Sequence, residues 1–90
     1  MEVGSRRLAA VMFTDLVGFT AHMQSDEADA QARRARYVDA MNRFHETHGG
    51  TVEKWLGDGA LSTFPSAAAS VRCAADIQRE IRGDDPVEMR

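Results

Sequence analysis

The chain has 90 residues, a formal net charge of −3 and no concentrated basic stretch, so it forms one small domain at most and is not predicted to bind nucleic acid. Its 43% hydrophobic and 28% charged residues are typical of a globular protein, and no apolar run approaches the roughly 20 residues that span a membrane. Because Cys73 is the only cysteine, no internal disulfide can form, and we expect a cytoplasmic protein without a signal peptide.

The chain opens with a predicted strand that ends in a carboxylate. Residues 8–14 are mostly apolar, and Asp15 follows them directly. A short apolar run of this kind indicates a strand buried on both faces, and the carboxyl end of such a strand is where a sheet presents ligand-binding groups. From Leu16 to Met23, a turn that contains Gly18 leads into a short helical segment. Asp15 is therefore the first candidate functional residue.

A long helix is predicted next, ending at about His48. Ser25 and Asp26 are candidate N-caps, and Gly49 follows the last turn, as glycine commonly does at a helix C-terminus. Apolar residues at steps of three and four predict one buried stripe, widened by Tyr37. That stripe comprises Ala28, Ala32, Ala35, Val38, Met41 and Phe44.

The second half of the chain predicts a hairpin. A strand over residues 51–56 turns at Gly57-Asp58-Gly59 and returns through residues 60–64, because Asp-Gly is a common turn pair. Strict alternation would place one set of side chains, Val52, Lys54 and Leu56, on one face of the first strand. The opposite face would then carry Thr51, Glu53 and Trp55.

A third helix is predicted to follow the hairpin, with Ser66 as its N-cap and Gly83 at its end. Its expected buried residues are Ala67, Val71, Ala74, Ile77 and Ile81. Residues 87–90 alternate like the opening of a further strand. The element order predicts an α+β fold, with a small, mostly antiparallel sheet and helices on one face. We interpret it as most of a ferredoxin-like layout, βααββα(β), truncated at the start of the fourth strand.

Two motifs carry a specific resemblance to a known family. The first is Phe13-Thr14-Asp15-Leu16-Val17-Gly18-Phe19-Thr20. The second covers residues 49–64 and contains Leu56-Gly57-Asp58-Gly59-Ala60. Both resemble motifs of the class III nucleotidyl cyclases, the adenylate and guanylate cyclase catalytic domain, and the 43 positions from Asp15 to Asp58 are close to the family's spacing. The resemblance extends from about residue 7 to 81, so residues 1–90 are expected to form a partial cyclase domain.

The resemblance implies a role for each matching residue. Asp15 and Asp58 match the family's two metal-binding aspartates, and the backbone of Leu16 completes one metal site. The backbone that wraps the triphosphate corresponds to Val17, Gly18, Phe19 and Thr20. Lys54 matches the lysine that recognises adenine, which in the family serves the opposite subunit of a head-to-tail homodimer. The implied cofactors are two Mg²⁺ or Mn²⁺ ions, and the implied substrate is ATP rather than GTP.

The chemistry of these residues agrees with the implied roles. Two converging carboxylates can hold a pair of divalent ions about 3.5–4 Å apart, which activate a 3′-hydroxyl and stabilise a pyrophosphate leaving group. Hard oxygen ligands suit Mg²⁺ or Mn²⁺ rather than zinc. Taken singly, Asp15 could be a helix N-cap, Asp58 a turn residue and Lys54 a solvated strand lysine. The metal interpretation therefore rests on the two motifs together.

The resemblance also leaves an alternative open. The asparagine and arginine that stabilise the family's transition state lie beyond Arg90, so the 90-residue chain alone is expected to be inactive. A full-length parent would convert ATP to cyclic AMP and pyrophosphate in intracellular signalling. The alternative is a non-catalytic cyclase-homology module that regulates or binds a nucleotide. A third hypothesis, a diguanylate cyclase, lacks its Gly-Gly-Asp/Glu-Glu-Phe turn here.

The remaining polar residues are interpreted as structural. The long helix should expose its arginines, Arg33, Arg34 and Arg36, in ion pairs with Asp29 and Asp39. The histidines have no ligand spacing with Cys73, so surface or helix-end positions are expected for His22, His45 and His48. Cys73 itself lies among small residues and is expected to pack in the core, and Trp55 is assigned to the core or a dimer interface.

Overall fold

The computed structural model describes residues 10–83, which form two layers. The elements, in chain order, are β1 (Ala10–Asp15), α1 (Phe19–Ser25), α2 (Glu27–His48), β2 (Thr51–Leu56), β3 (Gly59–Phe64) and α3 (Ala67–Gly83). This order confirms the predicted α+β fold. Residues 8 and 9 of the predicted first strand and the strand expected at 87–90 lie outside the described residues. Across residues 10–83, none of the helices has the length and apolar content needed to cross a membrane.

The three strands form one antiparallel sheet in the order β1-β3-β2. In the register of the sheet, Asp15 pairs with Gly59, and Gly59 pairs in turn with Leu56. The end of β1 therefore lies directly beside the hairpin turn that joins β2 to β3. This register is what brings the two sequence motifs together.

Helices α2 and α3 cover one face of the sheet, as predicted. The core between the layers consists of Leu16, Tyr37, Ala40, Met41, Ala60, Phe64, Cys73 and Ile77. The opposite face of β1 carries Val11 and Phe13, whose side chains are 52% and 70% exposed. Helices on a single face leave the other face of the sheet open within residues 10–83.

Both predicted caps of α2 are confirmed. The side chain of Asp26 accepts a hydrogen bond from the backbone N–H of Asp29, and Gly49 has a φ of 75°, in the left-handed region that glycine favours. The predicted stripe was wrong in its first half, because Ala28, Ala32 and Ala35 are exposed. The buried residues are Ala30, Tyr37, Ala40, Met41 and His45. Larger side chains offer more apolar area to bury than alanine, so Tyr37 and Met41 set the rotation of the helix.

A bulge in β2 overturns the predicted alternation. The register shifts between Val52, which pairs with Ser62, and Lys54, which pairs with Leu61. Trp55 then pairs with the buried Ala60, so Val52 and Trp55 share the helix-facing side, and Lys54 lies on the open face. One extra residue in a strand reverses the faces of every residue after it.

The start of α3 is confirmed and its buried face is corrected. The hydroxyl of Ser66 accepts a hydrogen bond from the backbone N–H of Ala69 at 3.0 Å, as an N-cap does. Ala67 and Val71 were predicted to be buried but are exposed, Val71 by 66%. The residue that packs in their place is Cys73, which is fully buried. The interpretation of Cys73 as a packing residue is confirmed.

Candidate functional site

The two candidate acids lie on loops that contact each other. The backbone N–H of Leu16, directly after Asp15, donates to the carbonyl oxygen of Asp58 at 3.0 Å. Gly59 stands opposite Asp15 in the sheet, where a methyl group would overlap the carbonyl oxygen of Thr14 and lie 3.4 Å from Oδ1 of Asp15. The absence of a side chain at Gly59 therefore lets the Asp15 carboxylate lie against the hairpin.

Each of the two loops turns on a glycine in the left-handed region. Gly18, in the loop after β1, has a φ of 71°, and Gly57, in the hairpin turn, has a φ of 72°. A side chain at either position would be strained. Leu16 anchors the first loop, because its side chain is buried in the core. Its carbonyl oxygen accepts one long hydrogen bond, 3.4 Å from the backbone N–H of Phe19, and retains a free lone pair.

Tyr37 packs on the helix-facing side of the sheet, next to the end of β1. The hydroxyl groups of Tyr37 and Thr14 share a hydrogen bond of 2.6 Å beneath the end of β1. Burial raises the pKa of Tyr37 above its ordinary value, and the negative charges of Asp15 and Asp58 act in the same direction. Trp55 packs edge-on against the Tyr37 ring, with 6.1 Å between centroids.

Two arginines that were predicted to be solvent-exposed belong to the site. Arg33 donates to the carbonyl oxygen of Val17 at 3.1 Å, and Arg34 donates to the carbonyl oxygen of Gly57 at 2.9 Å. Arg33 and Arg34 were predicted to pair with Asp29 and Asp39, and they donate instead to these two backbone carbonyl oxygens. Asp29 pairs with His22, and Asp39 pairs with Arg43. Sequence spacing along a helix identifies near neighbours, whereas these contacts cross 16 and 23 positions of the chain.

Lys54 is not brought together with the two acids. It is exposed on the open face of the sheet, opposite Leu61, whose partner on the other side is Phe13. Because neighbouring strands are spaced about 4.8 Å apart, Lys54 lies two strands away from Asp15, roughly 10 Å across the sheet. Lys54 and Asp15 nevertheless share the same face, since the bulge in β2 moved Lys54 away from the helices.

A cavity of about 460 Å³ adjoins Asp15, between β1 and α3. Arg33 and Tyr37 border it near the site, and Ile77 and Ile81 of α3 give it an apolar wall. The volume lies within the range of pockets that hold small molecules. An open, largely apolar cavity thus lies directly beside Asp15.

The donor set fits a hard divalent cation whose coordination is completed by other oxygens. Within residues 10–83, no group of three or more His, Cys, Asp or Glu side chains could hold a metal ion. The candidate donors are fewer: the two carboxylates of Asp15 and Asp58, with the carbonyl oxygen of Leu16 as a third oxygen. Mg²⁺ is commonly bound through one or two carboxylates together with substrate phosphates and water. The residues present suit that mode and do not suit a closed zinc site.

A second polar cluster lies in the core, and the sequence interpretation missed it. His45 lies in the last turn of α2, which agrees with the predicted helix-end position, but it is 3% exposed, so the surface alternative was wrong. Its Nδ1 lies 2.6 Å from the carbonyl oxygen of Met41, and its Nε2 lies 2.7 Å from the hydroxyl of Ser62. Burial lowers the pKa of His45 and raises that of Cys73, whose Sγ lies 3.7 Å from the ring, to about 11. The alternation of β3 could have signalled the partner, because Ser62 lies between the buried residues Ala60 and Phe64.

Comparison with known proteins supports a cyclase-related domain. No family model matches the chain. The chain is similar to the protein named "Putative adenylate cyclase 3" of Rhizobium meliloti (strain 1021), with 39% identity over 75 residues, which are 82% of this chain and 13% of that protein. A bacterial light-regulated adenylyl cyclase has a similar structure, with a TM-score of 0.75 and 24% sequence identity over 87% of this chain and 43% of its own. The second comparison confirms the cyclase-type fold, and the chain spans well under half of either protein.

Proposed function

We propose that this chain is the metal-binding part of a class III adenylate cyclase catalytic domain, which forms cyclic AMP and pyrophosphate from ATP. The observation that carries the proposal is the hydrogen bond between Leu16 and Asp58, which joins the two loops that bear Asp15 and Asp58. Similarity to an adenylate cyclase over 75 residues supports the same function. The antiparallel register that pairs Asp15 with Gly59 gives that similarity a physical basis, because it places the end of β1 beside the turn that carries Asp58.

The residues have distinct proposed roles. Asp15, Asp58 and the carbonyl oxygen of Leu16 would hold two Mg²⁺ or Mn²⁺ ions. When bound, these ions supply Lewis-acid stabilisation for the attacking 3′-hydroxyl and the leaving pyrophosphate. The backbone from Val17 to Thr20 would orient the triphosphate, and the left-handed turn at Gly18 lets that backbone bend toward the carboxylates.

Lys54 is proposed to read the adenine of a second subunit's site. Its position on the open face, roughly 10 Å across the sheet from Asp15, supports a role outside the metal centre of its own chain. A lysine donates to the acceptor nitrogen of adenine and would misfit the protonated edge of guanine. A homodimer with ATP at the interface between subunits is therefore part of the proposal.

The proposal is tested by Mn²⁺ binding to the purified chain, measured by electron paramagnetic resonance with and without ATP. We expect the wild type to bind Mn²⁺ and both Asp15→Asn and Asp58→Asn to lose that binding. Metal-free stability should hold or rise slightly in both variants, because each removes one of two mutually repelling carboxylates. Asp39→Asn, the same chemical change at an exposed position of α2, is the matched control.

Two outcomes would contradict this assignment. Mn²⁺ binding that survives in both site variants would remove the metal role of the acids. A large loss of stability in Asp58→Asn with unchanged Mn²⁺ binding would make Asp58 a turn residue only. Because the 90-residue chain alone is expected to be inactive, the non-catalytic regulatory module is favoured only if a longer protein that contains residues 1–90 binds ATP and Mn²⁺ without forming cyclic AMP.

A further inference from the structure

Two successive arginines of α2 hold the two loops that carry the candidate acids. Arg33 donates to the carbonyl oxygen of Val17, two residues after Asp15, and Arg34 donates to the carbonyl oxygen of Gly57, the residue before Asp58. Both side chains are half-buried. Hydrogen bonds from a charged donor are shorter and stronger than those between neutral groups. Each loop is thus attached to the same turn of one helix.

The attachment forms a closed set of contacts. The hydrogen bond from Leu16 to Asp58 joins the loops to each other, and the two arginines join each loop to α2. Helix α2 is a firm support, because it runs for 22 residues and is capped at both ends. The distance between the two carboxylates therefore depends on the helix as well as on the sheet register.

We propose that Arg33 and Arg34 are positioning residues, which fix the two acid-bearing loops relative to one another through the carbonyl oxygens of Val17 and Gly57. The consequence for metal binding rests on the proposed function, whereas the consequence for the loops does not. The arginines act through the loops and contact neither acid. Partners of this kind typically change metal affinity by a factor of ten or more when they are removed.

The direction in which metal affinity changes distinguishes a positioning role from a purely electrostatic one. A guanidinium near the site repels a divalent cation, so loss of its charge alone would tighten metal binding. Loss of a positioning contact would loosen the loops and weaken metal binding. The two explanations therefore predict opposite changes for the same variant.

The experiment uses Arg33→Gln and Arg34→Gln, with Arg72→Gln as the matched control. Arg72 is an exposed residue of α3, and its substitution changes the net charge by the same amount. Amide hydrogen exchange of Leu16, followed by NMR, reports the bond between the loops without any metal. Electron paramagnetic resonance of Mn²⁺ reports metal affinity. Circular dichroism verifies that each variant retains its helices.

We expect both site variants to exchange the Leu16 amide several-fold faster and to bind Mn²⁺ about tenfold more weakly, while Arg72→Gln matches the wild type. Unchanged exchange of Leu16 in both variants, or tighter binding of Mn²⁺, would overturn the proposal. If the wild type binds no Mn²⁺, the proposed metal function fails. The exchange of Leu16 then still decides whether the two arginines position the loops.

Discussion

Helix α2 supports two polar clusters, and they differ in how their polar groups are satisfied. In the buried cluster, both ring nitrogens of His45 have partners within the chain, namely the Met41 carbonyl oxygen and the Ser62 hydroxyl. In the candidate site, no cationic side chain within residues 10–83 forms an ion pair with Asp15 or Asp58. The first cluster is complete as it stands, whereas the second has two carboxylates that an external cation can join.

The two clusters should therefore affect different properties of the protein, the first its folding stability and the second its binding of ligands. Buried polar groups must be paired, and an unpaired one costs about 1–3 kcal/mol. Carboxylates at the edge of the fold remain solvated, so leaving them without a cationic partner costs little. We therefore expect changes near His45 to affect the free energy of unfolding, and changes near Asp15 and Asp58 to affect ligand binding.

The largest effect is expected for His45→Ala. The substitution removes a buried ring that packs 5.1 Å from Phe64 between centroids and leaves the Ser62 hydroxyl without its partner. The cavity and the unpaired hydroxyl together should lower the free energy of unfolding by about 3 kcal/mol. Urea denaturation followed by circular dichroism measures this change.

The contrasting variant is Asp58→Ala at the other cluster. It should leave the metal-free free energy of unfolding unchanged or slightly higher, because it removes one of two negative charges on loops that contact each other. The distinction between the two clusters would be wrong if His45→Ala lowered the free energy of unfolding by less than about 1 kcal/mol, or if Asp58→Ala lowered it more than His45→Ala does.

A smaller change in the free energy of unfolding is expected when the pH is lowered. Because burial lowers the pKa of His45 below its ordinary value of 6.5, the unfolded chain binds a proton at this residue before the folded chain does. The contribution of neutral, buried His45 to the free energy of unfolding is therefore fully present above about pH 6.5. It decreases as the pH falls below that value, by at most about 1.4 kcal/mol per pH unit. Below about pH 3.8 a second loss begins, since the hydrogen bond from His48 lowers the pKa of Asp76.

The pH dependence can be assigned with two variants. In His45→Gln the loss of stability between pH 6.5 and 4 should disappear, because that residue no longer titrates. His22→Gln, on the surface beside Asp29, should retain it. Unfolding curves at half-unit intervals of pH measure the slope. An unchanged slope in His45→Gln would assign the titration to another group.

The sequence predicted the fold and the two acids for different reasons. Local signals such as the Asp26 and Ser66 caps and the terminating Gly49 depend on nearby residues, so they were correct. The acids were predicted because each lies in a glycine-containing motif at the end of a strand. The loops that carry the two acids contact each other because Asp15 pairs with Gly59 in the sheet. That register is the one expected when the strands of the two motifs pair in antiparallel fashion.

The incorrect predictions concern residues whose positions depend on contacts with distant parts of the chain. The roles of Arg33 and Arg34 depend on carbonyl oxygens 16 and 23 positions away, which helical periodicity does not report. The faces of β2 depended on a bulge between Val52 and Lys54 that alternation alone does not show. A surface or helix-end position was predicted for His45 because it has no ligand spacing with Cys73, whereas its burial depends on the hydroxyl of Ser62 in another element.

A modest loss of stability is expected for Tyr37→Phe, where the two clusters of α2 approach each other. The variant removes the 2.6 Å hydrogen bond to Thr14 but keeps the ring that packs against Trp55. The Thr14 hydroxyl retains a weak partner in the sulfur of Met41 at 3.8 Å, so its loss is partly compensated. We expect the free energy of unfolding to fall by about 1 kcal/mol.

A double-mutant cycle with Thr14→Val should give a coupling of similar size. Because the Tyr37 hydroxyl bonds to Thr14 and is not one of the proposed ligands, Mn²⁺ affinity should remain within about twofold of the wild type, a change of about 0.4 kcal/mol. A coupling near zero would show that the bond to Thr14 contributes nothing to stability. A loss of Mn²⁺ binding as large as that of Asp58→Asn would place the Tyr37 hydroxyl within the metal centre itself.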